Sequence, residues 1–159
     1  MNPELACSWD LAMADLLYLD YNCFQRSFDD QSQTRIRMEA AACEEIFAMA
    51  AAGKVRLAWS FMHEDENAMC PFVDRKIEIL KLSEICSVLI QPSETIRLSA
   101  LDLQRKHRLQ SKDALHVACA KHGGASHFLT CDDPLRKRAG ERIGNMVIMG
   151  PTEYVMTGQ

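Results

Sequence analysis

Leu16-Leu17-Tyr18-Leu19-Asp20 is an uninterrupted apolar run that stops on a carboxylate. In an extended chain, consecutive apolar side chains point to both sides, so the run reads as a strand covered on both faces. Asp20 then stands at its carboxyl end. Downstream, Ile36, Ala40, Cys43, Phe47 and Ala50 recur at steps of four and three, from a polar start near Ser32 or Thr34 to a stop at Gly53, the spacing of an amphipathic helix. Val55-Arg56-Leu57-Ala58-Trp59 is a second strand. Ser60 can cap the helix that carries His63, Glu64, Asp65 and Glu66, and Pro71 separates it from a helix with Val73, Ile77 and Leu80 as its expected buried stripe.

The alternation continues to the end of the chain. Val88-Leu89-Ile90 is a strand, and Pro92-Ser93 opens a helix with Ile96, Ala100 and Leu103 on one side. Ser111 is expected to cap another helix through Leu115, Ala118 and Cys119, closed by Gly123-Gly124. His127-Phe128-Leu129-Thr130, a short basic helix from Asp133-Pro134, and Met146-Val147-Ile148-Met149 complete the set. Strands separated by helices require crossover connections, which predicts a three-layer α/β/α domain with a parallel sheet of about five strands. Residues 1–13 are expected to be a weakly patterned extension and 14–159 a single domain.

Composition narrows the class. The chain has 159 residues, 48% apolar and 25% charged, enough for one core and too apolar for disorder. Its net charge of −4 argues against a surface that is a nucleic-acid clamp throughout, while leaving room for local basic patches. An odd number of cysteines (seven), without C-x-x-C spacing, together with a start that lacks a signal-peptide pattern, points to a reduced cytoplasmic protein. No run approaches the ~20 apolar residues of a membrane span.

The acids fall where such a fold builds sites. Ligands of open parallel sheets bind beyond the carboxyl ends of the strands. Asp20 and Asp132 follow two strand ends, Glu64, Asp65 and Glu66 lie within two turns of a third, and Asp113 is in the first turn of the helix opened by Ser111. Carboxylates brought together repel unless a cation sits among them, and hard oxygen donors suit Mg²⁺ or Mn²⁺. Asp133, directly before Pro134, is expected to be the helix cap, which leaves Asp132 for the ion. His116 and Cys119 are expected to be packed core residues. There is no glycine-rich phosphate loop and no zinc-type ligand spacing.

These segments resemble the PIN-domain family. Leu19-Asp20-Tyr21-Asn22-Cys23-Phe24, with Arg26, Phe28 and Asp29-Asp30, looks like the opening of a bacterial PIN protein. Lys112-Asp113-Ala114-Leu115-His116-Val117-Ala118-Cys119-Ala120 is similar to a D-A-L-H/I-x-A-x-A signature, and Phe128-Leu129-Thr130-Cys131-Asp132-Asp133 to an F-[LV]-T-x-D strand end. Trp59-Ser60-Phe61 through Asp65-Glu66-Asn67 resembles the segment that bears the family's glutamate, and Gly150-Pro151-Thr152-Glu153-Tyr154 a family tail.

The resemblance implies a metal-dependent ribonuclease, many of its relatives being VapC-like toxins restrained by a cognate antitoxin. By position it makes Asp20, Glu66, Asp113 and Asp132 both the catalytic residues and the ligands of one or two Mg²⁺ or Mn²⁺ ions, with Glu64 and Asp65 alternatives to Glu66. Asn22 and Thr130 become polar neighbours of that site, and Arg26 a candidate phosphate contact. Arg105, Lys106, Arg108 and Lys112, or Arg136, Lys137, Arg138 and Arg142, could steer an RNA backbone. A homodimer is a further expectation, and a PIN-like module that binds RNA or protein without cutting is the alternative. A phosphoacceptor receiver domain fits poorly, because the Val88 strand ends in Gln91-Pro92 rather than in an aspartate.

Overall fold

The computed structural model describes residues 14–157 of the chain, so the extension expected over residues 1–13 lies outside them. The elements run β1 (Leu16–Leu19), α1 (Tyr21–Gln25), a 3-10 turn (Arg26–Phe28), α2 (Thr34–Ala51), β2 (Arg56–Ser60), α3 (Phe61–Met69), α4 (Val73–Ser83) and β3 (Val88–Ile90). They continue with α5 (Glu94–His107), α6 (Ser111–His122), β4 (His127–Leu129), α7 (Asp133–Ala139), β5 (Arg142–Ile143), β6 (Met146–Met149) and α8 (Pro151–Thr157). The sheet has six strands in the order β3-β2-β1-β4-β6-β5. All pairings are parallel except β5 with β6.

Side-chain alternation along β1 builds the three layers. Leu16 and Tyr18 enter a core shared with Ile96 and Leu103 of α5, Val117 of α6, and Leu135 of α7. Leu17 and Leu19 enter the opposite core with Phe24 of α1, Ile46 and Phe47 of α2, Ile79 of α4, and Tyr154 of α8. All four β1 residues are buried, as the apolar run requires. None of the described helices is long and apolar enough to cross a membrane.

The order of the strands positions the site. From β1 the chain moves outward through β2 to β3, then returns to the other side of β1 to lay down β4. The crevice between the ends of β1 and β4 is therefore the switch point where parallel sheets gather ligands. The ladder runs into it: Leu19 is paired with Leu129, and the Asp20 amide donates to the Leu129 carbonyl at 2.8 Å.

Two expectations are corrected. The sheet gains the two-residue β5, joined to β6 by a tight reversal at Gly144-Asn145, where Gly144 has φ +60°, a conformation that costs glycine little. Val73, Ile77 and Leu80 of α4 do not form a buried stripe. They are 67%, 47% and 49% exposed, and α4 docks through Ile79 instead. Apolar spacing marks a face of a helix but not the direction it looks. The segment directly after Asp20 forms α1, whose Phe24 packs edge-on against Trp59 with ring centroids 5.3 Å apart.

Because Phe24 is 1% exposed and also meets the rings of Phe47 and His63, it anchors α1 beside the end of β1. Phe24→Ala is expected to cost about 3–5 kcal/mol of stability, read as a lower urea midpoint at unchanged slope.

Candidate functional site

Thr130, the first residue beyond β4, organises the crevice. Its buried hydroxyl donates to Asp20 Oδ2 at 2.7 Å and accepts from the Asp132 amide at 3.0 Å and from Asn22 Nδ2 at 3.2 Å. Asn22 also donates to Asp20 Oδ2 at 3.0 Å, while its Oδ1 accepts from the Cys131 amide at 3.2 Å. Asp20, Asn22, Thr130 and Asp132 thus form one hydrogen-bonded unit tying the end of β1 to the start of α7. Both side-chain bonds to Asp20 land on Oδ2, so Oδ1 is clear of them.

Asp132, not Asp133, caps α7: its Oδ1 accepts from the Leu135 amide at 3.0 Å. Asp133 lies inside the helix's first turn and forms a two-armed ion pair with Arg35 at 2.5 and 2.8 Å. The expected cap is thus corrected from Asp133 to Asp132, because proline is tolerated in the first turn and does not fix which acid precedes the helix. Asp132 keeps its second oxygen outside the cap.

Glu66 reaches the same region by another route. Its Oε1 lies 2.6 Å from His116 Nε2, and His116 Nδ1 lies 2.7 Å from the Tyr18 hydroxyl, itself 2.7 Å from Ser60 Oγ. Glu64 and Asp65 are exposed, so only Glu66 of the three acids turns inward. His116 is buried, as expected, but it is more than core packing, since it fixes the glutamate. Its position one turn after Asp113 on α6 was the available signal, because residues three apart share a helix face.

The electrostatics of these groups are shared. Burial pushes the Asp113 carboxyl up to about 6, and the charges of Asp20 and Asp132 add to that rise, against partial relief from His116 and Arg138. Burial also raises Asp20, and Glu66 adds to it, despite His116 and the Thr130 hydrogen bond. For His116, burial alone would favour the neutral ring, but the hydrogen bond to Glu66 and the charges of Asp20, Glu66 and Asp113 outweigh it and raise the pKa. The acids therefore act on one another, on top of the larger effect of burial.

His63 behaves oppositely. Its Nδ1 accepts from the Ser60 amide at 2.9 Å, so the proton resides on Nε2, which donates to the Leu19 carbonyl at 2.7 Å. Burial, with help from the charge of His116, lowers its pKa to about 3. It is a neutral brace between β1 and α3.

Arg26 does not join the cluster. Its guanidinium is held by Glu39 at 2.5 Å and Asp29 at 3.1 Å, and Glu39 also takes Arg35 at 2.8 Å. Arg26, expected as a phosphate contact, stands in an ion-pair network that fastens the loop after α1 onto α2. Of the basic side chains, Lys106 pairs with Asp102 and Arg136 with Glu153, whereas exposed Arg138 is close enough to lower the pKa of Asp113.

Comparison with known proteins bears on the second half of the chain. Residues 71–141 match the family model of the PIN domain. The match supports the PIN family. It runs from just before α4 to the residue before β5 and so includes Asp113, Thr130 and Asp132, while Asp20 and Glu66 of the PIN-like acid set lie outside it. No curated protein matches the chain.

The donor set fits a hard divalent cation: all the acidic donors are oxygens, and the charges of Asp20 and Asp132 both act on Asp113. Among the described residues these acids do not bring three donor atoms within 4.8 Å of one another, so their present spacing is wider than a closed ligand shell.

Asp113→Asn should raise the thermal midpoint at pH 7 in chelator. A carboxyl pushed up to about 6 opposes folding from pH 4 upward, and solvent screening of this half-exposed group leaves about 1 kcal/mol, or about 2–4 °C. A second expectation separates the two imidazoles. Nitrogen-detected NMR at pH 5.5 should show His63 neutral with its proton on Nε2, and His116 doubly protonated. With its depressed pKa, His63 removes stability as pH falls below 6.5. With its raised pKa, His116 contributes stability below 6.5 that is lost as pH climbs through its folded value.

Proposed function

We propose that this chain is a metal-dependent endoribonuclease that hydrolyses RNA phosphodiester bonds, and that it serves as the toxin of a VapC-like toxin–antitoxin pair. One observation carries the reading: burial, joined by the charges of Asp20 and Asp132, pushes the Asp113 carboxyl up to about 6 at the switch-point crevice of a chain that matches the PIN domain over residues 71–141. PIN domains are generally metal-dependent nucleases, and a crevice of repelling carboxylates is the arrangement such an enzyme needs.

In this reading Asp20, Glu66, Asp113 and Asp132 hold one or two Mg²⁺ or Mn²⁺ ions. When bound, the divalent ion supplies Lewis-acid polarisation of the phosphodiester and a lowered pKa for water. The side chains contribute positioning. Thr130 and Asn22 fix the rotamer of Asp20 by occupying Oδ2, so that Oδ1 is the ligand atom. His116 holds Glu66 through Nε2, and Tyr18 and Ser60 hold His116. The first-turn placement of Asp113 puts a carboxylate near the amino end of α6, a favourable site for its charge.

The phosphate backbone must approach a negatively charged crevice, so basic side chains at the rim are required. Arg138 supports this role because its charge acts on Asp113, with Lys137 beside it on α7. Single-stranded or looped RNA suits such a site, since its backbone bends more freely than a duplex. A cognate antitoxin and a second copy of the chain are the protein partners in this reading. The odd count of cysteines supports a reducing, cytoplasmic setting.

Incubation of the purified chain with a mixed RNA pool tests it. Cleavage is expected with Mn²⁺ or Mg²⁺ and none in chelator. Asp20→Asn should lose about 100-fold or more, and Thr130→Val, which leaves every proposed ligand in place, about 10–100-fold. Expression in a bacterial host should arrest growth for the parent chain and not for Asp20→Asn. RNA bound but uncut in all metals, with Asp20→Asn indistinguishable from the parent, would leave only a binding module.

A further inference from the structure

Behind the crevice, on the side of the sheet covered by α1 and α2, three thiols from three separate segments meet. Cys23 comes from α1, Cys43 from the middle of α2, and Cys131 from the residue after Thr130. Their sulfurs all lie within 4.8 Å of one another, and the three residues are 1%, 0% and 8% exposed. All three are free thiols. The function proposed above uses none of them.

We propose that Cys23, Cys43 and Cys131 form a binding site for a soft, thiophilic cation that accepts three sulfur ligands, of the copper(I) class. Thiolate donors select soft ions and reject Mg²⁺ and Mn²⁺, so this site and the carboxylate crevice do not compete for the same metal. With metal–sulfur bonds of about 2.3 Å, an ion at the centre of three sulfurs holds them about 4 Å apart. The existing cluster reaches that spacing with side-chain adjustments of about an ångström or less. Among the described residues no histidine or carboxylate joins the trio as a fourth donor, which favours an ion content with three ligands over zinc, whose structural sites take four.

Cys43 is sealed, and Cys131, at 8%, is the most exposed of the trio. Buried cysteines otherwise pack as small apolar residues, and a cluster of that kind would bind nothing. The two cases differ in what the thiols do when a soft ion is offered.

Anaerobic titration of the reduced full-length protein with Cd²⁺, and with copper(I) in competition with a copper(I) chelator, separates them. One ion per chain is expected, with sulfur-to-cadmium charge-transfer absorbance in the ultraviolet and a higher thermal midpoint. Carboxylates give no such band, so binding in the crevice is not mistaken for it. Cys131→Ser and Cys43→Ala should each weaken binding at least 100-fold and abolish the rise in midpoint, whereas Cys70→Ser and Cys86→Ser should bind as the parent does. Circular dichroism checks that each variant is folded. If Cys43→Ala unfolds, Cys23→Ser takes its place.

Absence of the thiolate band in the folded parent overturns the site. So does a band that survives both Cys131→Ser and Cys43→Ala. Intact-mass analysis of freshly purified protein showing two of the three joined in a disulfide also overturns it, because the donors are then consumed. RNA cleavage by the parent is not part of this readout, so the two proposals fail separately.

Discussion

Carboxylates crowded at one edge of a sheet repel one another, and here the fold holds them in place against that repulsion. The parallel ladder brings the ends of β1 and β4 side by side, and the two cores keep that ladder rigid. Thr130 then spends its entire hydrogen-bonding capacity on Asp20, Asn22 and Asp132. Burial pushes the Asp113 carboxyl up to about 6, with the charges of Asp20 and Asp132 adding to it, beside an Asp20 that burial also raises.

Two buried histidines in contact show how finely burial and charge are balanced. Their rings lie 5.2 Å apart, yet His63 is kept neutral while His116 is pushed toward its charged form. Desolvation acts in the same direction on both. What differs is the partner: His63 faces a backbone carbonyl and a backbone amide, whereas His116 faces Glu66 with Asp20 and Asp113 nearby. Tyr18 joins the two environments, stacking on Phe128 at 5.5 Å in the core and reaching His116 with its hydroxyl. The arrangement of Glu66 therefore depends on packing well inside the protein.

Much of this was legible in the order of residues. An apolar run ending at Asp20 marked a buried strand and an acid at its tip, and the alternation with helices implied crossovers and a common edge. What stayed hidden was short or lay in the balance between neighbours. Helix α1 spans five residues, too few for a period to emerge, and β5 spans two. The stripe of α4 has helical spacing but faces outward. Asp132 and Asp133 are chemically identical, and only the chain direction at the end of β4 decides which caps α7 and which meets Arg35. The loss of Arg26 to Glu39 could not be foreseen, since Glu39 is thirteen residues away on a helix whose placement comes from tertiary packing.

Electron paramagnetic resonance of Mn²⁺ measures the point on which these relations turn. As the protein is titrated into dilute Mn²⁺, the free-ion signal should fall to a plateau of one or two ions per chain, and Asp20→Asn and Asp113→Asn should each restore the free signal by at least tenfold in affinity. A free-ion signal unchanged by the parent protein, or lowered equally by both variants, would mean that these carboxylates do not share an ion.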